Sequence, residues 1–153
     1  MIIRKAKPVD AKEISDLRRK TFNKINAKDY SKKHVEELNK KNTQKIILGK
    51  MKERDMFCIT NNDKILGVID LEDNKIGGLF IRCDYIGQGL GKRLMNFIED
   101  YAKKKGIKKT ILYSTKYAEM FYKKLGYKLI HKKQIDKGNG ESYLEIKMEK
   151  TLK

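Results

Sequence analysis

Three glycines at alternate positions, Gly87, Gly89 and Gly91, stand in the run Ile86-Gly87-Gln88-Gly89-Leu90-Gly91-Lys92-Arg93. Glycine lets consecutive backbone N–H groups turn toward one point. A helix starting there adds its unpaired first-turn donors and the positive end of its dipole. Such a turn suits a phosphate or pyrophosphate, and Lys92 and Arg93 can add charge. Spacing removes two familiar uses. A Walker loop follows G-x-x-x-x-G-K-[ST], but here three residues separate Gly87 from Gly91 and Arg93 replaces the hydroxyl. A dinucleotide fingerprint requires G-x-G-x-x-G and an acid about twenty residues later; this chain has G-x-G-x-G and no acid over 109–115. A glycine-rich turn without a ligand is the competing structural reading.

The remaining periodicities supply a frame for this turn. Residues 1–7 read as a strand, and Asp10 as the cap of a helix to about Asn23 with Ile14, Leu17 and Phe22 near one face. Ser31 and Thr43 read as caps of two further helices, the first carrying Val35 and Leu38, the second Ile46, Ile47 and Met51. The period then changes to strands over 56–60, 65–71 and 75–82, with a hairpin turn at 61–64. A helix over 89–105 follows from Leu90, Leu94, Phe97, Ile98 and Tyr101, and Gly106 stops it. A buried strand at 109–114, a helix at 116–125 and a hairpin of 127–135 with 141–150 complete the order. Along the last strand Ser142, Leu144, Ile146 and Met148 alternate with charged residues, a half-buried pattern.

Within this frame the segment Leu79-Phe80-Ile81-Arg82-Cys83-Asp84-Tyr85-Ile86-Gly87-Gln88-Gly89-Leu90-Gly91 resembles the coenzyme A signature of the GNAT-type N-acetyltransferase superfamily. That signature runs aliphatic-aromatic-aliphatic, often with Pro two residues on, then Arg/Gln-Gly-x-Gly-aliphatic-Gly or Ala. Cys83 stands where Pro is common, and Ile86 where Arg or Gln is usual. Downstream, Ala118-Glu119-Met120-Phe121-Tyr122 followed by Gly126-Tyr127 resembles the superfamily's A-x-x-F-Y-x-x-x-G-F/Y segment, with one strand between the two.

The resemblance implies a single GNAT-like α/β sandwich over 1–153, a mixed and mostly antiparallel sheet of about seven strands flanked by helices. It implies acetyl-CoA as cosubstrate, no metal, and direct attack by an amine acceptor in a ternary complex. By the same resemblance, backbone groups of Ile86, Gly87, Gln88, Gly89, Leu90, Gly91 and Lys92 hold the pyrophosphate. Leu79, Phe80 and Ile81 bond the pantetheine arm where the cofactor strand splays from 109–114, and Ala118, Phe121 and Thr115 complete the cofactor contacts. Thr115 stands where relatives often carry Asn, and it can equally be a helix cap; Phe121 can equally be a core aromatic.

Tyr122 matches the family's proton donor to the departing thiolate, whose pKa of about 8.5 makes it a better leaving group when an O–H stabilises it. The base is poorly marked. An alkylamine is only about 0.04% neutral at pH 7, yet Asp70, Glu72 and Asp73 read first as turn or surface acids, and His34 and His131 as structural or exposed. Gly77-Gly78 suits close backbone approach or a bulge. The amine is expected to enter over residues 22–30 and the final hairpin near Tyr143.

Composition bounds these readings. With 39% apolar residues in 153 the chain can bury a core without metal or disulfide, and Cys58 and Cys83 lack any paired spacing. No apolar stretch approaches the roughly 18 residues of a membrane span, and the polar N-terminus lacks a signal-peptide core, so a cytoplasmic protein is expected. The net charge of +17 is spread over the length of the chain, which reads as a lysine-rich surface rather than a nucleic-acid footprint. It would repel polycations and steer anions. The alternatives are a basic nucleic-acid-binding module and an acyl-CoA sensor without turnover; a homodimer stays open.

Overall fold

A computed structural model of the protein describes residues Met1–Lys153. Its strands are β1 (Ile2–Lys5), β2 (Asp55–Asn61), β3 (Lys64–Glu72), β4 (Lys75–Ile81), β5 (Lys109–Ser114), β6 (Lys128–Asp136) and β7 (Ser142–Thr151). They form one sheet in the order β1-β2-β3-β4-β5-β7-β6, antiparallel throughout except between β4 and β5. The helices are α1 (Ala11–Thr21), α2 (Lys32–Lys40), α3 (Gln44–Glu53), α4 (Leu90–Lys104) and α5 (Glu119–Lys124). The expected α/β sandwich with a seven-stranded, mostly antiparallel sheet is therefore the fold.

The central strands are buried on both faces. In β2, Met56 and Cys58 pack with α1 and α3, while Phe57 and Ile59 pack with α4 on the other side. This alternation follows from the two-residue repeat of a strand. Leu90, Leu94, Met95, Ile98 and Ala102 bury one stripe of α4, while Phe97 and Tyr101 meet Phe57 edge-on at 4.8 and 4.9 Å between centroids. Each fully buried Leu or Ile contributes roughly 1.5–3 kcal/mol, so this stripe anchors the helix that follows the glycine turn. No helix is long and apolar enough to cross a membrane.

Local signals set several boundaries. Ser31 Oγ accepts the His34 N–H and Thr43 Oγ1 the Ile46 N–H, so both act as the expected caps. Asn62 and Asp63 take positive φ and close the β2–β3 hairpin as a two-residue turn. Three boundaries differ from the expectation. Asp10 does not cap α1. Its carboxylate accepts two Arg4 hydrogen bonds at 2.7 and 3.0 Å and the Lys7 N–H at 2.7 Å, holding β1 to the turn before the helix. The first helix runs on as a π turn over Phe22–Asn26 and a 3-10 turn over Ala27–Asp29. The helix expected from residue 116 starts only at Glu119, because Thr115 first closes a turn, its carbonyl and Oγ1 both accepting the Ala118 N–H at 3.2 Å.

Candidate functional site

Strands β4 and β5 pair only at their beginnings, with Lys75 opposite Ile111 and the Ile111 N–H donating to the Asn74 carbonyl at 3.0 Å. Toward their C-terminal ends they part. The opening is one cleft of about 740 Å³, bounded by β4, β5, the glycine turn, α5 and the π turn after α1. Two features of β4 shape it. Val68 lies opposite Phe80 but Asp70 lies opposite Gly77, so β4 carries one extra residue in a bulge at Gly78–Leu79. Thr21 Oγ1 then donates to the Ile81 carbonyl at 2.9 Å, fixing the end of the strand to α1.

The glycine turn is the mouth of this cleft. Gly87 and Gly89 have φ of +86° and +82°, a left-handed backbone that a side chain would strain. A Cβ at either would meet nothing within 4 Å, so both face open space. Helix α4 begins next, and its first internal bond runs from Arg93 N–H to the Gly89 carbonyl. The N–H groups of residues 87–92 consequently donate to no backbone carbonyl. A row of free donors at a helix N-terminus is an anion-binding arrangement. Lys92 lines the cleft, whereas exposed Arg93 turns toward Met1, with Nη1 3.8 Å from Sδ.

Both sequence segments converge here. Leu79, Phe80, Ile81, Ile86, Gly87, Gly89, Leu90, Gly91, Lys92, Thr115, Ala118, Phe121 and Tyr122 all line the cleft. Gln88 does not; its side chain is exposed, with Nε2 donating to the Asp84 carbonyl at 3.4 Å. A Cβ on Gly91 would stand 3.2 Å from Cζ of Phe121, so the missing side chain lets α5 close against α4. Tyr122 is 8% exposed, and burial raises its pKa well above the ordinary phenol value with no hydrogen-bonded partner contributing. Tyr127 contrasts with it, its hydroxyl bonded to Thr110 Oγ1 and Glu99 Oε2, both at 2.9 Å.

The opposite end of the cleft was only partly legible in the sequence. Phe22, Ile25 and Asn26 reach it from the π turn, Tyr30 from the following segment, and Leu38 and Asn42 from α2 and its C-terminal turn. Phe22 stacks on Tyr30 at 5.9 Å, and His34 lies between Tyr30 (5.0 Å) and Tyr143 (4.3 Å). His34 Nδ1 also shares a hydrogen bond of 2.7 Å with Glu141, so it is structural. His131 is likewise engaged, with Glu145 at 2.8 Å. Helical periodicity could not have found Asn26, because a π turn changes which residues share a face.

The acids considered as a base do not face the cleft. Asp70, read as a turn or surface acid, is 1% exposed and paired with Arg18 at 3.3 Å and Arg54 at 3.7 Å. Glu72 and Asp73 border a separate polar depression with Glu53 and Asp55 near the start of β4. No three His, Cys, Asp or Glu side chains are grouped closely enough to hold a metal ion, and Cys58 and Cys83 are free thiols.

This architecture recurs in known proteins. A GCN5-related N-acetyltransferase from Rhodopseudomonas palustris is 22% identical, with 99% of this chain and 95% of that one aligned at a TM-score of 0.89. The PaiA N-acetyltransferase of Thermoplasma acidophilum, solved in complex with coenzyme A, is 23% identical over 98% of each chain at 0.80. The aminoglycoside 6'-N-acetyltransferase of Enterococcus faecium is 19% identical over 100% of this chain and 98% of its own at 0.74. At these identities the likeness establishes the fold. No curated protein sequence matches significantly. The family described as acetyltransferase (GNAT) domain matches residues 26–152, a span that holds both cleft-lining segments and every strand but β1. The chain belongs to the GNAT acetyltransferase family.

Proposed function

We propose that the protein moves an acetyl group from acetyl-CoA to an amine by direct attack while both substrates are bound. The observation that carries this is the row of N–H groups at residues 87–92, without internal acceptors, opening on the same cleft as Tyr122. The residues present fit the ligand: open space before Gly87 and Gly89 leaves room for an anion against the backbone. Ile86 in place of Arg or Gln removes a side-chain contact but no backbone donor. Coenzyme A bound to the Thermoplasma relative supports the same use here. The two free cysteines suit a cytoplasmic setting.

The chemistry asks little of side chains. The amine nitrogen forms a bond to the thioester carbonyl carbon, the C–S bond breaks, and the surplus proton of the nitrogen passes to water. Backbone N–H groups at the β4 bulge polarise the carbonyl. Tyr122 gives its phenolic proton to the departing sulfur and is reprotonated from the water that took the nitrogen's proton, so no net proton is gained or lost. Burial supports that role, because it keeps the phenol protonated at neutral pH.

The test is calorimetric titration with acetyl-CoA, followed by release of the free coenzyme A thiol with a panel of amines. One-site binding that disappears in Gly89→Glu, together with turnover of at least one amine, is the expected result. Binding without turnover of any amine would make the protein an acyl-CoA sensor, and no binding would remove the acetyl-CoA reading altogether.

A further inference from the structure

The cleft that lines the acetyl-transfer site carries its own statement about the acceptor. Lys92, at the glycine turn, is the single charged side chain among the residues lining it. The far end is walled by Phe22, Ile25, Tyr30 and Leu38, with Asn26 and Asn42 as the polar groups. Asn42 is already engaged: Nδ2 donates to the Leu38 carbonyl at 3.0 Å and Oδ1 accepts from Arg18 at 3.4 Å. Asn26 is 7% exposed and lines the cleft, and its carboxamide has no bonded partner within the chain. A carboxamide so placed both accepts from an N–H and donates to a carbonyl.

Such a wall gives a polycation nothing to pair with. Burying a second or third ammonium against it would be uncompensated, on a protein that already carries +17. The wall also gives the attacking amine no internal base. It holds no carboxylate or imidazole; the Tyr30 phenol, pushed up to about 12 by burial, stays protonated, and His34 behind it is bonded to Glu141. An amine entering here must therefore bring its own neutral fraction. At pH 7 that fraction is about 0.04% for an alkylamine of pKa about 10.4, but roughly 10–15% for an α-amine of pKa about 7.7–8.0. The difference is a few hundred fold and acts directly on kcat/KM.

We propose, on the acetyl-transfer reading above, that the acceptor is an α-amine beside a carbonyl and carrying one apolar or aromatic side chain, held by Asn26 against the stacked rings of Phe22 and Tyr30. A free amino-acid amide and a peptide N-terminus share this chemistry. Polyamines and aminoglycosides fall outside it, although aminoglycoside acetyltransferases share the fold.

The experiment measures coenzyme A release with four amines at pH 7 and pH 9: phenylalanine amide, a tripeptide beginning with Phe, phenethylamine and spermidine. The expected result is a kcat/KM for an α-amine about a hundredfold above phenethylamine at pH 7. That gap should narrow at pH 9, and spermidine should not be turned over. The better of amide and tripeptide identifies the source. Asn26→Leu should lower kcat/KM for the α-amines at least tenfold while calorimetry shows acetyl-CoA binding unchanged. Equal rates for phenethylamine and the amide at pH 7, or preferred use of spermidine, would overturn the inference even with acetyl-CoA bound. So would acetyl-CoA binding with no α-amine turned over. Loss of acetyl-CoA binding itself is a separate result and would remove the acetyl-transfer reading beneath it.

Discussion

Arg18 Nη2 and Asp70 Oδ2 lie 3.3 Å apart, each side chain 1% exposed, against the backbone of Gly78 in the β4 bulge. A Cβ on Gly78 would stand 2.4 Å from Arg18 Nη2 and 2.6 Å from Asp70 Oδ2, and the residue has φ of +56°. The guanidinium also sits over the Phe80 ring at 5.5 Å. This pair therefore wedges the strand that is proposed to receive the pantetheine arm. Removing Asp70 strands the Arg18 guanidinium in the interior, since Asp70 is its one ion-pair partner. Asp70→Asn should cost about 3–5 kcal/mol by urea unfolding, whereas Arg18→Met with Asp70→Leu should recover most of that. A single-variant cost below about 1 kcal/mol would show that the pair is not dry.

Gly78→Ala tests the same wedge from the strand side. Positive φ and the close contacts together predict a loss of about 2 kcal/mol or more in stability, with a change in acetyl-CoA affinity measured by calorimetry. Gly49→Ala is the control, since a Cβ there meets nothing within 4 Å. It should leave acetyl-CoA affinity in place and, lying inside α3, raise stability by about 0.5–1 kcal/mol.

Tyr122→Phe keeps the ring against Phe121 and Tyr127, 5.2 and 6.0 Å away between centroids, and removes only the hydroxyl. The expected outcome is a fall of about 10²–10⁴ in kcat with acetyl-CoA affinity kept. Because burial raises the phenol's pKa, the acid stays protonated through neutral and mildly alkaline pH. The wild-type rate should accordingly show no loss from this group as pH rises to 9. A Phe variant as fast as the parent would remove Tyr122 from the chemistry.

Asp10 makes a stability test with a defined pH window. Its hydrogen bonds from Arg4, then from the Lys7 N–H, hold its carboxyl below the usual value despite burial. A depressed folded value means that the contribution is complete above the unfolded pKa, about 3.9, and is lost as pH falls through the lower folded one. Asp10→Asn should thus be destabilised by about 1.5–3 kcal/mol at pH 7. The gap to wild type should hold constant from pH 5 to 8 and close below pH 4 in urea titrations. A gap that persisted at pH 2 would assign the loss to packing instead.

What the chain reveals in one dimension is what depends on near neighbours. The glycine turn, the period of α4, and the caps Ser31 and Thr43 were legible because their physics involves a few consecutive residues: left-handed backbone, free first-turn donors, a hydroxyl reaching three residues ahead. The two segments that carry the family resemblance are local in the same sense. Only the tertiary structure decided what those residues meet. Gly91 is small because Phe121, thirty residues on, packs on it. Asp70 on β3 is buried because Arg18 arrives from α1, and Gln88 stays outside while its neighbours line the cleft. The uncharged far wall of the cleft draws Phe22, Ile25 and Asn26 from a π turn that no apolar period announces. Burial, charge pairing and the company a side chain keeps are set by contacts distant in sequence, and folding alone brings them together.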